Sequence, residues 1–142
     1  MSETTYQAQS VINQVLEAVI NLMNATSPFA TVTRGALPTG PGLTCEIGPS
    51  RTKNIYMDKN SYVPLTIVMN GKHDDMKTLS DAMNTIHSAL TRAKTYPEDS
   101  AGNRWQITDI QTTTFPRVVG RENNNDWLMA SVLSVTFFWR GD

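Results

Sequence analysis

The sequence has little cysteine, little charge and no long apolar run, and each shortage excludes a class of protein. Cys45 is the only cysteine in the 142 residues, so the chain cannot form an internal disulfide and suits a reducing compartment. Charged residues make up 18% with a formal net charge of −1, which provides no overall attraction to nucleic acid or to an anionic membrane. The polar segment Met1–Gln9 lacks the apolar core of a signal peptide, and no apolar run approaches the roughly 20 residues that span a bilayer. The composition predicts a protein made in a cytoplasm, without a membrane partner.

Few residues could carry chemistry, and their spacing does not indicate a catalytic site. Cys45 lies in an apolar segment, where burial raises the pKa of a thiol and lowers its reactivity. His73, Asp74 and Asp75 could bind a metal, but they also fit a turn followed by a helix cap. The other histidine, His87, is expected about 18–20 Å away along a helix. We predict no enzymatic activity, no catalytic residues, no metal and no cofactor. The alternative is an enzyme that uses His73 and Asp74, which predicts that metal binding stabilises the fold.

The best-patterned stretch predicts a strand, a tight turn and a helix. Apolar and other residues alternate over 62–69 with the period of a strand that has one apolar face. Asn70-Gly71 then predicts a tight turn, because glycine accepts the positive φ that such turns require. Asp74 or Asp75 is placed to cap a helix over 75–94, where apolar residues recur every three or four positions.

The rest of the chain predicts a second helix and further strands around the same core. We expect the helix over residues 5–24, and strands or short extended segments at Phe29–Thr33, Leu43–Ile47, Asn54–Met57, Arg104–Thr113 and Trp127–Trp139. The alternation slips near Asp109, which predicts a bulge, and Phe115-Pro116 is expected to close that strand. The predicted fold class is α+β: a mixed, mostly antiparallel sheet with two helices packed on one face, in the order α-β-β-(β)-β-α-β-β. We expect one domain over residues 1–142.

Two irregular stretches are candidates for contacts with other molecules. Residues 35–42 form a loop rich in glycine and proline, and residues 117–126 form a polar connection between the last two strands. Arg34, Arg51 and Lys53 could line a loop surface that faces DNA or another partner, with solvated loop charges as the alternative. A DNA-contacting module predicts an affinity that falls steeply with salt.

Several short stretches resemble the minor capsid or tail terminator proteins of tailed bacteriophages, the proteins of head–tail joining. The resemblance covers residues 62–140 and is carried by Met69-Asn70-Gly71-Lys72-His73, Trp105-Gln106-Ile107, Pro116, Gly120-Arg121-Glu122, Trp127-Leu128 and Phe137-Phe138-Trp139. It implies a small α+β fold with a non-enzymatic, structural role in the virion.

The resemblance also implies a function and a set of partners. Such proteins form a hexameric ring on the end of the tail tube, stop tail polymerisation and present the surface that joins the tail to the head. The implied partners are further copies of the chain, the tail tube protein and the head–tail connector or neck proteins, with DNA passing through the ring lumen. The protein would be assembled in the host cytoplasm and located in the tail or neck of the virion. Alternatives are another neck protein, either a tail completion protein or a connector or stopper, and a DNA-contacting module without catalysis.

A ring requires two different contact patches on each subunit. The connection between the last two strands is a candidate for one of them, because it is too polar for the core but carries apolar residues. The predicted interface residues are Arg117, Val118, Val119, Arg121, Glu122 and Trp127.

Overall fold

The computed structural model describes residues 3–48, 61–99, 104–122 and 125–139. The elements are α1 (Glu3–Asn24), β1 (Val32–Arg34), β2 (Gly42–Ile47), β3 (Ser61–His73), α2 (Met76–Thr91), β4 (Trp105–Arg121) and β5 (Trp127–Trp139). This order confirms the predicted α+β class. The predicted extended segment Asn54–Met57 lies outside the described residues.

The five strands form one mixed sheet in the order β1-β2-β3-β5-β4. Among the described strands, β1 and β2 pair in parallel, and the other three pairings are antiparallel. β5 pairs along its whole length with β3 on one side and β4 on the other, so it is an interior strand. β1 and β4 are the two edges of the sheet.

The core lies between one face of this sheet and the two helices. Alternate residues of β5 from Met129 to Trp139 are buried, which matches the two-residue period of a strand with one buried face. On α2 the buried side chains, among them Leu79, Met83 and Ile86, recur at helical spacing and enter the same core cluster. The helix α1 contributes Val15, Leu16, Val19 and Met23 to that cluster.

Both helices therefore cover the same side of the sheet. The side chain of Gln14 on α1 accepts a 2.8 Å hydrogen bond from the Trp105 indole at the start of β4. At the other end of the core, Leu79 and Met83 of α2 lie against Gly71 of β3. The prediction of two helices packed on one face is confirmed.

The predicted turn at Asn70-Gly71 is wrong, because β3 continues to His73. Both residues are paired on each side: Asn70 lies opposite Thr44 of β2 and Ala130 of β5. The glycine has a packing role here. A Cβ on Gly71 would come within 2.7 Å of Leu79 Cδ1, so its absence allows α2 to approach the sheet closely.

The helix after β3 begins at Met76, one residue later than predicted, and ends sooner. Asp75 is the N-cap, and its carboxylate accepts hydrogen bonds from the Lys77 backbone N–H at 3.1 Å and the Thr78 hydroxyl at 2.8 Å. The helix ends at Thr91 with Arg92 as its C-cap, and not at residue 94.

The edge strands also differ from the predicted bounds. β1 spans Val32–Arg34 and not Phe29–Thr33. β4 does not close at Phe115-Pro116 but runs on to Arg121, since β5 provides a continuous partner for it. Its register shifts four times, and the first shift, between Ile107 and Asp109, confirms the predicted bulge.

Candidate subunit-contact surface

The structure places the predicted interface residues at one end of the β4–β5 hairpin. Arg117, Val118, Val119 and Arg121 belong to β4, and not to a connection as predicted from their polarity. Glu122 opens the turn, and Trp127 is the first residue of β5, directly opposite Arg121. The six residues are therefore near one another, although most of them are held in a strand.

The turn that follows β4 is short and closed by backbone hydrogen bonds. The Glu122 N–H donates to the Asp126 carbonyl at 2.8 Å, and the Asn125 N–H donates to the Glu122 carbonyl at 2.9 Å. Asn125 has a φ of 74°, a left-handed conformation that asparagine adopts more readily than most residues. The turn fixes the relation of the two strand ends at the contact surface.

Arg121 is held over the face of Trp127. Its guanidinium carbon lies 4.4 Å from the ring centroid, within the range of a cation–π contact. Its Nε also donates a 3.4 Å hydrogen bond to the Asn125 carbonyl. The pair gives this end of the hairpin a pre-arranged cationic and aromatic surface.

Arg117 differs from Arg121 in its contacts. It is exposed, and its side chain makes no hydrogen bond or ion pair with the part of the chain that the structure describes. A guanidinium in that state remains available for a partner's carboxylate.

Glu122 is tied to the neighbouring strand end. Its carboxylate accepts a 2.6 Å hydrogen bond from the Lys72 ammonium on β3, and the Lys72 side chain is only 5% exposed. The contact joins residues 50 positions apart and anchors the hairpin turn to the sheet.

The same half of β4 carries exposed apolar side chains. Phe115, Val118 and Val119 are 73%, 42% and 51% exposed, respectively. Phe115 lies within the register shift between Thr114 and Arg117, and Val119 lies within the shift that follows Val118. Bulges re-aim side chains and interrupt alternation, so sequence alternation alone could not assign Phe115 to this surface.

The structure describes one of the three residues of the predicted basic loop surface, Arg34. Arg34 ends β1 and forms an ion pair with Glu46, with Nε 3.0 Å from Oε1, and donates a 2.9 Å hydrogen bond to Asn13. The guanidinium charge of Arg34 is therefore already paired within the chain. Arg51 and Lys53 lie outside the described residues, so a DNA-facing role for the three remains a prediction.

His73, Asp74 and Asp75 form a helix start. The Asp75 N–H donates a 2.9 Å hydrogen bond to His73 Nδ1, and Asp74 Oδ1 lies 3.0 Å from the same nitrogen. Among the described residues, no group of three or more histidine, cysteine or acidic side chains is arranged to hold a metal ion.

Cys45 and His87 are also buried. Burial raises the pKa of the Cys45 thiol to about 12, in agreement with the low reactivity predicted for it. Burial also lowers the pKa of His87 to about 4. The imidazole joins three elements, because Nδ1 lies 2.9 Å from the Thr112 hydroxyl and Nε2 lies 2.8 Å from the Ser131 hydroxyl. These contacts are structural.

A groove lies between the segment that follows α1 and the exposed face of α2. Its volume is about 230 Å³. Threonine and serine hydroxyls, an aromatic ring and one carboxylate line it: Thr26, Ser27, Pro28, Phe29, Thr78, Asp81, Ala82 and Thr85. Phe29 is fixed by an edge-to-face contact with His73, with ring centroids 4.8 Å apart. The sequence did not indicate this concavity, because its two walls are about fifty residues apart in the chain.

Neither helix in the described part of the chain is long and apolar enough to cross a membrane.

Comparison with known proteins gives a match in structure alone. No protein-family model and no curated protein sequence matches the chain. Twelve chains of solved structures match its fold. One of them belongs to the virion of a native gene transfer agent particle. That match has a TM-score of 0.57 at 16% identity and covers 86% of this chain and 92% of the other. At this identity the likeness shows a shared fold, and the chain has the fold of a protein found in a virion particle.

Proposed function

We propose that the protein is a structural component of a phage-like virion that caps the end of the tail tube as a closed ring. The ring ends tail polymerisation and forms the surface that joins the tail to the head. Its partners are further copies of the chain, with six copies in the complete ring, together with the tail tube protein and the head–tail connector or neck proteins. The six-fold number comes from the resemblance to tail terminators.

The observation that carries the proposal is the nearly full-length match to a chain of a virion particle. A match that covers most of both chains compares whole folds, so the likeness does not rest on a common supersecondary motif. The absence of a metal-binding group among the described residues and the structural use of His87 also favour a non-enzymatic role.

The β4–β5 hairpin end supports a contact between subunits. It combines exposed apolar side chains with two arginines, and charged groups at the rim of a contact set its register and orientation more than its strength. An exposed ion pair contributes only about 0–1 kcal/mol. The tightness of the ring would therefore come from Phe115, Val118, Val119 and the apolar face of Trp127.

The proposal is tested by changing Arg121 to Glu and Trp127 to Ala separately and examining the particles by electron microscopy. Either change removes the cation–π contact, and the first also reverses a charge on the surface. We expect overlong tails without heads, because a tube that cannot be capped continues to grow. Arg92→Glu serves as a matched control, since Arg92 is also exposed but lies at the end of α2. Normal tails joined to heads in both test variants would overturn this contact surface.

Tail length and head attachment in the same variant particles also distinguish tail capping from other roles in the neck. A tail completion protein or a connector would give tails of normal length that do not join heads when its contacts are broken. A DNA-contacting module would instead bind DNA with an affinity that falls steeply with salt, and Arg117→Glu would reduce that affinity.

A further inference from the structure

The outer edge of β4 is unsuited to pairing with a strand of another chain. Three of its four register shifts fall between Thr112 and Gly120, and such irregularities disrupt the straight row of backbone groups that strand addition needs. The same bulges expose Phe115 and Val119. The edge therefore presents three exposed apolar side chains with one exposed arginine among them, which we call the β4 knob: Phe115, Arg117, Val118 and Val119.

The groove between the segment after α1 and α2 has room for one aromatic side chain of such a knob. Its volume is about 230 Å³, and for scale a cavity of about 150 Å³ holds a benzene molecule. Its lining includes the Phe29 ring and the small Ala82 side chain beside threonine and serine hydroxyls. Phe29 supplies one partner for the edge-to-face or offset contact that aromatic pairs favour.

One wall of the groove, the segment after α1, lies beside the β1 edge of the described sheet, whereas the β4 knob is on the other edge. Asn24 at the end of α1 fastens that wall, because its side-chain amide forms hydrogen bonds with the N–H and the carbonyl of Val32 at 2.7 and 3.2 Å. The other wall, α2, lies over the sheet against β3 and β4. Two different patches on one subunit are the requirement for head-to-tail assembly.

The two patches lie toward the same end of the strands. Phe29 packs on His73 at the end of β3. Arg117 and Val118 of the β4 knob pair with Ala130 and Met129 of β5, which in turn pair with Asn70 and Gly71 of β3. The knob is therefore offset from the Phe29 side of the groove by two to three residues, about 7–10 Å along the strands. A head-to-tail contact closes into a ring when the rotation between copies closes.

The charges on the two patches are complementary. The groove side carries Asp81 on its rim and Asp74 and Asp75 at the start of α2, with Lys77 as the basic side chain among them. Lys77 lies 2.7 Å from Asp81, and both are widely exposed, so a guanidinium can reach the same carboxylate. The knob side offers Arg117, which has no partner in the described chain.

We propose that the β4 knob of one subunit inserts into the groove between the segment after α1 and α2 of the next copy of the chain. Phe115 enters the groove beside Phe29, and Arg117 bonds Asp81 at its rim. This inference rests on the proposed ring and names the two surfaces that form it.

A pair of cysteines tests the contact. The variant Phe115→Cys/Ala82→Cys places one thiol on each patch, while Cys45 stays buried and unreactive. Mild oxidation should give a ladder of covalent species at multiples of 15.8 kDa on a denaturing gel. Each single variant should give no species beyond a dimer. The control Tyr62→Cys/Ala82→Cys should give no ladder, since Tyr62 is 66% exposed but pairs with Phe138, at the end of β5 remote from the Met129 and Ala130 partners of the β4 knob.

A charge exchange tests the same contact without cysteine. Arg117→Asp alone and Asp81→Arg alone should each raise the concentration needed for ring assembly about two- to fivefold, and the double exchange should restore it. If the native chain forms rings but the cysteine pair gives no ladder and the double charge exchange gives no rescue, the pairing is overturned and the proposed function is left intact. If the ladder and the rescue are both observed, but particles that lack the protein have tails of normal length, the pairing is upheld and the tail-capping role is overturned.

Discussion

Lys72 Nζ lies 2.6 Å from Glu122 Oε1, joining the end of β3 to the turn between β4 and β5. The two side chains differ in environment, since Lys72 is 5% exposed and Glu122 is 39% exposed. Removing one partner of such a pair lowers the free energy of unfolding most when the group that remains is buried and has lost its partner.

We expect Glu122→Ala to destabilise the protein more than Lys72→Met. The first variant leaves a buried ammonium without this carboxylate, at a cost of about 1–3 kcal/mol. The second keeps the apolar stem and leaves a carboxylate that water can solvate, so its cost should stay within about 1 kcal/mol. Urea unfolding measures both, with Asp81→Ala as the control in an exposed pair. Equal losses of unfolding free energy in the two variants would contradict this interpretation of the contact.

The buried His87 predicts a pH dependence of stability. Its folded pKa of about 4 lies below the ordinary value of 6.5. Between these values the unfolded chain binds a proton that the folded chain does not, so the free energy of unfolding decreases as the pH falls. The slope reaches at most about 1.4 kcal/mol per pH unit. His87→Gln should show a smaller decrease than the parent between about pH 7 and about pH 5. An unchanged decrease would show that His87 is not its source.

Gly71 and Gly40 form a matched pair for testing helix–sheet packing. A Cβ on Gly71 would meet Leu79 Cδ1 at 2.7 Å and Leu43 Cδ2 at 2.9 Å, whereas nothing lies within 4 Å of one on Gly40. We expect Gly71→Ala to cost about 1–3 kcal/mol through overpacking, and Gly40→Ala to be neutral or stabilising by up to about 1 kcal/mol. Adding Leu79→Ala to Gly71→Ala should cost less than it does in the parent. Additive losses in the double variant would show that these atoms do not compete for space.

Leu133 tests the interior position of β5. The residue is fully buried and lies between Ile67 of β3 and Thr112 of β4. Leu133→Asp buries a carboxylate, and its cost should exceed about 4 kcal/mol, which approaches the whole stability of a small domain. Circular dichroism should show loss of the folded state, while the exposed change Gln111→Asp should leave melting nearly unchanged. A Leu133→Asp variant that melts like the parent would contradict the interior assignment.

Most of the fold follows from local pattern. The alternation in β5, the helical spacing in α2 and the cap at Asp75 predicted those elements correctly, because each depends on residues close in sequence. The bulge near Asp109 was also visible as a break in alternation.

The candidate contact surface was predicted less completely. Its residues were named because they combine charge and apolar groups near a turn, and the structure brings them together. Phe115 was missed, since the bulges that expose it depend on how β4 registers against β5. That the predicted interface residues contribute directly to assembly stays a prediction.

The sequence alone determined the type and the apolar face of both helices and of β5, since these depend on side chains a few positions apart. Only the tertiary structure decided where two segments end. Asn70-Gly71 has the composition of a turn, and residues 117–121 that of a loop, but each is paired with a neighbouring strand. The hydrogen bonds to that partner outweigh the local preference, because a paired backbone inside a sheet loses them if it turns away.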